Sequence, residues 1–213
     1  MTDSAPRVEV FYSYRSPYSY LAIARLRDWA LEDGIDLLVR PVLPLAVRSP
    51  EFFHNLNPLG PPYTHRDAQR MADFLDLPFE WPSPDPVVMS FDPIEIPEDQ
   101  PYIHRLTRLG AEAGRLGNGL DFTYEVSSLI WGGGDWTAGD KLKNAAGRAG
   151  LDLEAMDAAI EADPELYIGL IAENQSAHLA AGHWGVPTMV YEGEPFFGQD
   201  RIEVLKWRVR ECG

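Results

Sequence analysis

The alternation of apolar and polar positions near the start of the chain predicts a short strand that leads directly into a helix. Residues 8–12 alternate β-forming side chains, and from residue 17 onwards the apolar positions follow a helical spacing. The apolar face of this predicted helix carries Tyr20, Ile23, Ala24, Ala30 and Leu31, and the opposite face carries Arg25, Asp28 and Glu32.

A serine and a proline stand where the predicted strand meets the predicted helix. Ser16 suits the N-cap position, where a hydroxyl accepts a backbone N–H, and Pro17 suits the first helical position. The free N–H groups and partial positive charge of a helix N-terminus also favour a thiolate or another anion. Ser16 is therefore either a simple helix cap or a residue that faces an anionic ligand.

Gly34 is expected to end this helix, and residues 35–42 read as a second strand. Strand, helix and strand then form a βαβ unit with a right-handed crossover.

The next part of the chain is interrupted by prolines. Residues 44–62 are expected to form a loop or short turns, because prolines and asparagines recur there. Thr64 followed by Asp67 resembles a capping box that opens a helix, and Pro78 ends that helix. Residues 79–101 are expected to be irregular.

Helices follow, and the chain then closes with a hairpin and a last helix. The predicted hairpin pairs residues 188–191 with 195–197, and Asp200 with Glu203 is expected to cap the last helix. The intervening helical segments are predicted at 101–116, 121–131, 137–149, 152–162 and 164–182, with starts at Asp121, Thr137, Asp152 and Asp163.

Composition disfavours two classes of partner. The chain carries 18 Lys and Arg against 33 Asp and Glu, a net charge of −15. Such a chain repels polyphosphates and anionic lipids, so neither nucleic acid nor membrane partners are expected.

Residue types restrict the location and the chemistry. The segment 1–6 has no basic or apolar leader pattern, and no run approaches the roughly 18 apolar residues of a membrane span, so a cytoplasmic location is expected. Cys212 is the only cysteine, which excludes an internal disulfide and fits a frayed tail better than a nucleophile. No His-x-x-x-His pair occurs, so no metal site is expected.

A second motif identifies the family. A proline precedes the strand-like run at 188–191, where a cis Val186–Pro187 bond is expected. Ser16–Ser19 (Ser-Pro-Tyr-Ser) and Gly185–Thr188 (Gly-Val-Pro-Thr) together resemble the DsbA-like branch of the thioredoxin superfamily that contains kappa-class glutathione transferases and 2-hydroxychromene-2-carboxylate isomerases. The resemblance also includes the segments Phe11–Ala22, Trp131–Gly134 and Phe197–Arg201.

The resemblance implies an α/β fold, a thioredoxin-like βαβ…ββα domain with a large all-helical insertion. The element order predicted above agrees with it. The expected domains are a discontinuous thioredoxin-like domain at 1–43 and 184–213, and a helical insertion domain at 44–183.

The resemblance also implies a glutathione site. In the serine-containing relatives the first serine of the motif binds the sulfur of glutathione, a role that passes to Ser16. Val186 would pair its backbone with the peptide, Pro187 would keep that backbone turned outward, and Gln199 with Asp200 would receive the γ-glutamyl end. In relatives the region after the second strand helps to hold the glycine end.

Two further residues are expected to line a substrate cavity. By resemblance Trp131 lies near it, and Tyr14 is the tyrosine of the first motif to be tested there. The tyrosines at 14, 18 and 20 otherwise suit core or cleft packing.

Three functions remain open. The first is a glutathione-dependent cis-trans isomerase of an aromatic-degradation intermediate, in which the thiolate adds to a conjugated alkene and leaves again. The second is a kappa-like glutathione transferase, and the third is a glutathione- or peptide-binding protein without turnover. A disulfide oxidoreductase is disfavoured, because Ser16 and Ser19 stand where redox relatives carry two cysteines. The expected partner is a small aromatic or conjugated substrate, and a homodimer is left open.

Overall fold

The structure is a computed structural model that describes residues 5–91 and 93–212. Within these residues the elements follow in the order β1 (Arg7–Tyr12), α1 (Pro17–Asp33), β2 (Asp36–Pro41), α2 (Leu45–Arg48), α3 (Pro50–His54), α4 (Gly60–Phe74), β3 (Ser90–Phe91), β4 (Ile94–Glu95), α5 (Ile103–Arg115), α6 (Gly119–Trp131), α7 (Lys141–Arg148), α8 (Leu153–Ala162), α9 (Pro164–Ala180), β5 (Thr188–Tyr191), β6 (Glu194–Phe197) and α10 (Ile202–Cys212).

The main sheet has the strand order β2-β1-β5-β6. β1 runs parallel to β2 and antiparallel to β5, with Val10 opposite both Val39 and Met189. Because β1 is a central strand, side chains on both of its faces are buried: Val10 belongs to the main hydrophobic cluster and Phe11 to a smaller one on the other face. The βαβ and ββα arrangement predicted from the sequence is confirmed.

The start of α1 is confirmed in detail. Ser16 has extended backbone angles and its hydroxyl accepts the backbone N–H of Ser19, so it is the N-cap, and Pro17 occupies the first helical position. At the other end Gly34 has φ +67°, a left-handed conformation that glycine adopts without a Cβ penalty. These two caps fix where the chain leaves β1 and where it returns to β2.

Three predicted helix starts are wrong, each because a neighbouring group provides a better start or a competing bond. α4 begins at Gly60 rather than Thr64, since the prolines at 61 and 62 fit a first turn that needs no donor. α6 begins at Gly119 rather than Asp121, whose carboxylate instead accepts a hydrogen bond from Arg27 at 2.6 Å.

α7 begins at Lys141 rather than at Thr137. The backbone N–H and the hydroxyl of Thr137 both donate to Asp135, at 2.9 and 2.6 Å, and form a turn ahead of the helix. The predicted caps at Asp152 and Asp163 are confirmed, and both carboxylates accept backbone N–H groups.

The proposed cap role of Asp200 is also wrong. Asp200 lies inside a 3-10 turn at Gln199–Arg201, and its carboxylate pairs with Arg201 at 2.9 Å. α10 begins only after this turn, so the turn itself leads the chain into the helix.

The helices between β2 and β5 pack directly on the sheet. One hydrophobic cluster contains Val10 and Met189 of the sheet together with Phe122 and Trp131 of α6. The predicted boundaries at 43/44 and 183/184 lie just outside β2 and β5, and the division into two domains stays a prediction. The predictions for residues 1–4 and for the Cys212 side chain concern parts of the chain outside this description.

Candidate functional site

The Ser16 hydroxyl links the start of α1 to the loop before β5. It accepts the Ser19 backbone N–H at 3.2 Å and donates to the Val186 carbonyl at 3.3 Å. The Val186–Pro187 bond is cis, as predicted. Ser16 is partly exposed, whereas Ser19 is fully buried.

The first turn of α1 presents a donor beside that hydroxyl. Pro17 has no N–H, and the N–H groups of Ser19 and Tyr20 are bound to Ser16. The N–H of Tyr18 is thus the one that the geometry of a helix start leaves without a backbone partner. No acidic residue lies in the first turn of this helix, so no carboxylate within it offsets the partial positive charge.

The turn after β6 lies against the same loop. The Gly198 N–H donates to the Pro187 carbonyl at 2.9 Å, which fixes the following two residues beside the cis proline. Gln199 is 5% exposed, and its backbone and side-chain oxygens both accept from Arg25 at 3.0 Å. Asp200 is exposed. The structure therefore brings Ser16, Val186, Pro187, Gln199 and Asp200 to one end of the sheet.

Tyr14 and Trp131 are inside the core. Their side chains are 1% and 0% exposed, the Tyr14 hydroxyl lies 3.2 Å from the Thr123 hydroxyl, and the Trp131 indole donates to the Tyr14 carbonyl at 3.0 Å. Burial raises the pKa of Tyr14 far above its ordinary value. Neither side chain reaches the corner surface, and the substrate-lining role predicted for both stays a prediction.

Tyr18 is the partly exposed tyrosine of the motif, for which the sequence indicated only core or cleft packing. Its hydroxyl donates to Asp67 on α4 at 2.8 Å. Burial raises its pKa, the bond to Asp67 adds to this, and the charge of Asp200 contributes further. Its position two residues after the cap, in the first turn, was the available signal for a surface role.

Arg48 is a second residue that the sequence did not single out, because its proline-rich surroundings carry no motif. Its guanidinium donates to the Trp184 carbonyl, and its buried Nε has no partner in the described part of the chain. Burial lowers the pKa of Arg48, and it remains a cation at neutral pH. Arg48 and Trp184 line a groove of about 550 Å³ together with residues of α3 and the end of α9.

The described residues contain no cluster of His, Cys, Asp or Glu that could hold a metal ion. Across the same residues, every helix is too short or too polar to span a bilayer.

Comparison with known families places almost the whole chain in one domain type. The profile of the family described as "DSBA-like thioredoxin domain" matches residues 7–210. No curated protein sequence matches the chain.

Solved structures with the same fold differ in their described activities. A 2-hydroxychromene-2-carboxylate isomerase superposes with a TM-score of 0.70 and 22% identity, over 97% of this chain and 96% of that one. A probable DsbA oxidoreductase from Streptomyces coelicolor gives 0.66 and 18% identity, over 97% and 89%. The cytosolic disulfide reductase DsbM from Pseudomonas aeruginosa, with GSH, gives 0.62 and 18%, over 96% and 99%.

Proposed function

Since the chain belongs to the DSBA-like thioredoxin domain family, we propose that it is a glutathione-dependent isomerase of a conjugated aromatic-degradation intermediate, similar to 2-hydroxychromene-2-carboxylate isomerase. The observation that carries the proposal is the Ser16 hydroxyl, which caps α1 and bonds to the Val186 carbonyl beside cis Pro187. A hydroxyl and a helix N-terminus at a peptide-binding edge suit a thiol peptide whose sulfur must be anionic.

In this proposal the cysteine of glutathione pairs with the backbone of Val186 as an added β-strand. The Ser16 hydroxyl then donates to the sulfur instead of the Val186 carbonyl. Its present bond of 3.3 Å is longer than a favourable O–H···O bond, so the exchange costs little. The carbonyl becomes available to accept the N–H of the peptide.

The γ-glutamyl end lies at the turn after β6. The exposed Asp200 carboxylate takes the ammonium group, and the Gln199 side-chain N–H groups and nearby backbone amides take the carboxylate. Asp200 pairs with Arg201 at 2.9 Å, with side chains 59% and 53% exposed. Such exposed pairs contribute little energy, so an ammonium competes readily with Arg201.

The glycine end lies towards Arg48. Trp184, whose carbonyl accepts a hydrogen bond from Arg48, stands two residues before Val186. At most about 7 Å of extended chain therefore separates the residue that contacts Arg48 from the residue that pairs with the cysteine of glutathione. A partly buried cation without a carboxylate partner is costly, and a bound carboxylate removes that cost.

The reaction needs no redox change. The thiolate forms a C–S bond to a conjugated alkene, and the π electrons move onto the conjugated carbonyl oxygen as an enolate. Rotation follows about the new single bond, the enolate re-forms the double bond, and the thiolate leaves. In the transferase alternative the enolate takes a proton and sulfur stays on the product.

Two comparisons agree with this proposal without deciding it: one relative is described as an isomerase of this kind and another as a disulfide reductase with GSH. Dithiol exchange at the motif is not available to this chain, because positions 16 and 19 are both serine. The proposal places the protein in the cytoplasm, as DsbM is described.

The test combines binding with product analysis. Glutathione should raise the melting temperature, and the protein with glutathione should convert cis-benzoylacrylic acid to the trans isomer without consuming thiol. Stoichiometric thiol consumption would favour the transferase, and binding without turnover would favour the binding protein. No thermal shift with glutathione would refute all three.

A further inference from the structure

We propose that Arg15 anchors the acidic group of the electrophilic substrate, so that the enzyme prefers planar conjugated acids to their neutral esters. The inference rests on the proposed function, because it places the second substrate beside the thiolate at Ser16. Arg15 is the residue immediately before Ser16, and its side chain is 21% exposed.

The Arg15 guanidinium lies between a carboxylate, that of Asp85, and an aromatic ring, that of Trp81. It donates from Nε and Nη2 to the two carboxylate oxygens of Asp85, at 3.2 and 2.9 Å. Its carbon Cζ lies 5.6 Å from the centre of the Trp81 ring, and that ring stacks on His65 at 4.6 Å. Trp81 is partly exposed, so a planar group bound at the cation can contact this aromatic pair.

One side of this guanidinium is still available for a ligand. Asp85 engages only the Nε and Nη2 edge, and Nη1 has no hydrogen-bond partner within residues 5–91 and 93–212. The Trp81 indole N–H also has no hydrogen-bond partner within the described residues, so it is a second unused donor near Arg15. The guanidinium geometry permits a second anion at the Nη1 and Nη2 edge while Asp85 holds the first.

The bond to Asp85 is not needed to hold residues 78–87 in place. Tyr20 donates to the Pro78 carbonyl, the Glu80 N–H donates to Trp131 at 2.7 Å, and Trp136 donates to Pro84 at 2.7 Å. Asp85 itself accepts the Val87 N–H at 2.9 Å. Asp85 is thus fixed by its own turn, and it orients Arg15 rather than the reverse.

The position of the cation suits the proposed reaction. A carboxylate bound at Arg15 would hold the conjugated system beside Trp81, one residue along the chain from Ser16, whose hydroxyl is proposed to donate to the thiolate. Charge that moves onto the substrate during addition of the thiolate would also develop next to this guanidinium, which favours the transition state.

The binding test uses unreactive ligands and is independent of turnover. Calorimetry on the glutathione-saturated protein should show 3-benzoylpropionic acid binding about tenfold or more tightly than its methyl ester, the size expected for a charge-assisted hydrogen bond. Arg15→Gln should reduce this ratio to about one, and Arg15→Lys should retain part of it.

Two controls separate anchoring from structural support. Arg105 makes the same two-bond pair with Asp157, at 2.9 and 2.5 Å, in the helical region, so Arg105→Gln should leave the acid preference intact. Asp85→Asn removes the pair's charge but leaves the guanidinium, and it should keep or increase the preference. A merely structural role predicts that Asp85→Asn behaves like Arg15→Gln.

The outcomes distinguish this inference from the proposed reaction. Equal affinities for acid and ester, no measurable binding of either, or a preference that survives Arg15→Gln would overturn the anchor. If Arg15→Gln abolishes the acid preference, the anchor is supported. If the same parent protein turns over no benzoylacrylic acid, the isomerase proposal is wrong while the anchor stands.

Discussion

The hydroxyl of Ser16 donates a hydrogen bond of 3.3 Å to the carbonyl of Val186, a residue 170 positions further along the chain. This bond joins the two motifs from which the family was identified. It also means that one hydroxyl can cap a helix and reach the loop before β5. The two readings of Ser16 from the sequence, a cap and a ligand-facing residue, are therefore compatible.

Ser16→Ala should raise the pKa of bound glutathione. A free thiol titrates near 8.5, so only a few per cent is thiolate at neutral pH. The hydroxyl donor and the helix N-terminus both favour the anion, and the variant removes the first of them. Thiolate absorbance against pH, measured on both complexes, gives the two values.

Ser16→Thr is the matched control, because threonine keeps a hydroxyl that can cap and donate. It should titrate like the parent, whereas Ser16→Ala should also lose about 1 kcal/mol of stability with the cap. Identical titrations in Ser16→Ala and the parent would reduce Ser16 to a helix cap, and the Tyr18 N–H would then have to stabilise the thiolate.

Asp200→Ala should weaken the thermal shift caused by glutathione without destabilising the free protein. The carboxylate is exposed and caps no helix, and its exposed ion pair with Arg201 contributes little to stability, so the main effect is loss of the partner of the γ-glutamyl ammonium. Asp152→Ala is the opposite case, since Asp152 accepts the N–H groups of Glu154 and Ala155. Asp152→Ala should lower the free energy of unfolding by about 1 kcal/mol and leave the thermal shift caused by glutathione unchanged. Equal shifts in the parent and Asp200→Ala would move the γ-glutamyl end elsewhere.

Arg48→Gln should weaken glutathione binding by roughly 10- to 100-fold, the effect of losing one charge-assisted hydrogen bond. The same variant should bind the glycine ethyl ester of glutathione as the parent does, because the ester lacks the anion. Calorimetry measures the affinity of the parent and of the variant for glutathione and for its ester. Arg148→Gln removes a comparable ion pair, with Glu125, far along the chain and is the control. If acid and ester lose affinity equally, Arg48 supports the groove instead of binding the carboxylate.

The sequence was sufficient wherever a local signal and the tertiary structure agree. Ser16 with Pro17 and the glycine at 34 fix α1, and Asp152 and Asp163 start their helices, because each cap satisfies backbone groups of its own helix. The helix starts predicted at Thr64 and Thr137 are wrong because the polar side chain of threonine suits several local roles. The prolines at 61 and 62 and the acceptor Asp135 decided between those roles.

The residues of the candidate site were likewise predictable from the sequence only in part. The residues predicted to bind glutathione came together, while Arg15, Tyr18 and Arg48 owe their positions to contacts with Asp85, Asp67 and Trp184, which are 49 to 136 positions away. Tyr14 shows the converse. Its place in the motif left core packing and a position in a cleft both open, and its side chain lies in the core, where its hydroxyl contacts that of Thr123. Alternation along β1 could not reveal which face the helices would cover.

His178 should make the protein less stable below neutral pH. Its side chain is fully buried and stacks on Phe11 at 4.6 Å, and burial, with Arg48 and His183 nearby, lowers its pKa to about 4. The unfolded chain protonates this histidine near 6.5, so the unfolded state binds the extra proton between about pH 6.5 and 4. The contribution is fully present above that window and is lost as the pH falls through it, by up to about 3 kcal/mol. Urea unfolding of the parent and of His178→Gln, from pH 7.5 to 4, measures it as the difference between the two stability curves. Curves that stay parallel across the window would mean that His178 is protonated in the folded protein as easily as in the unfolded chain.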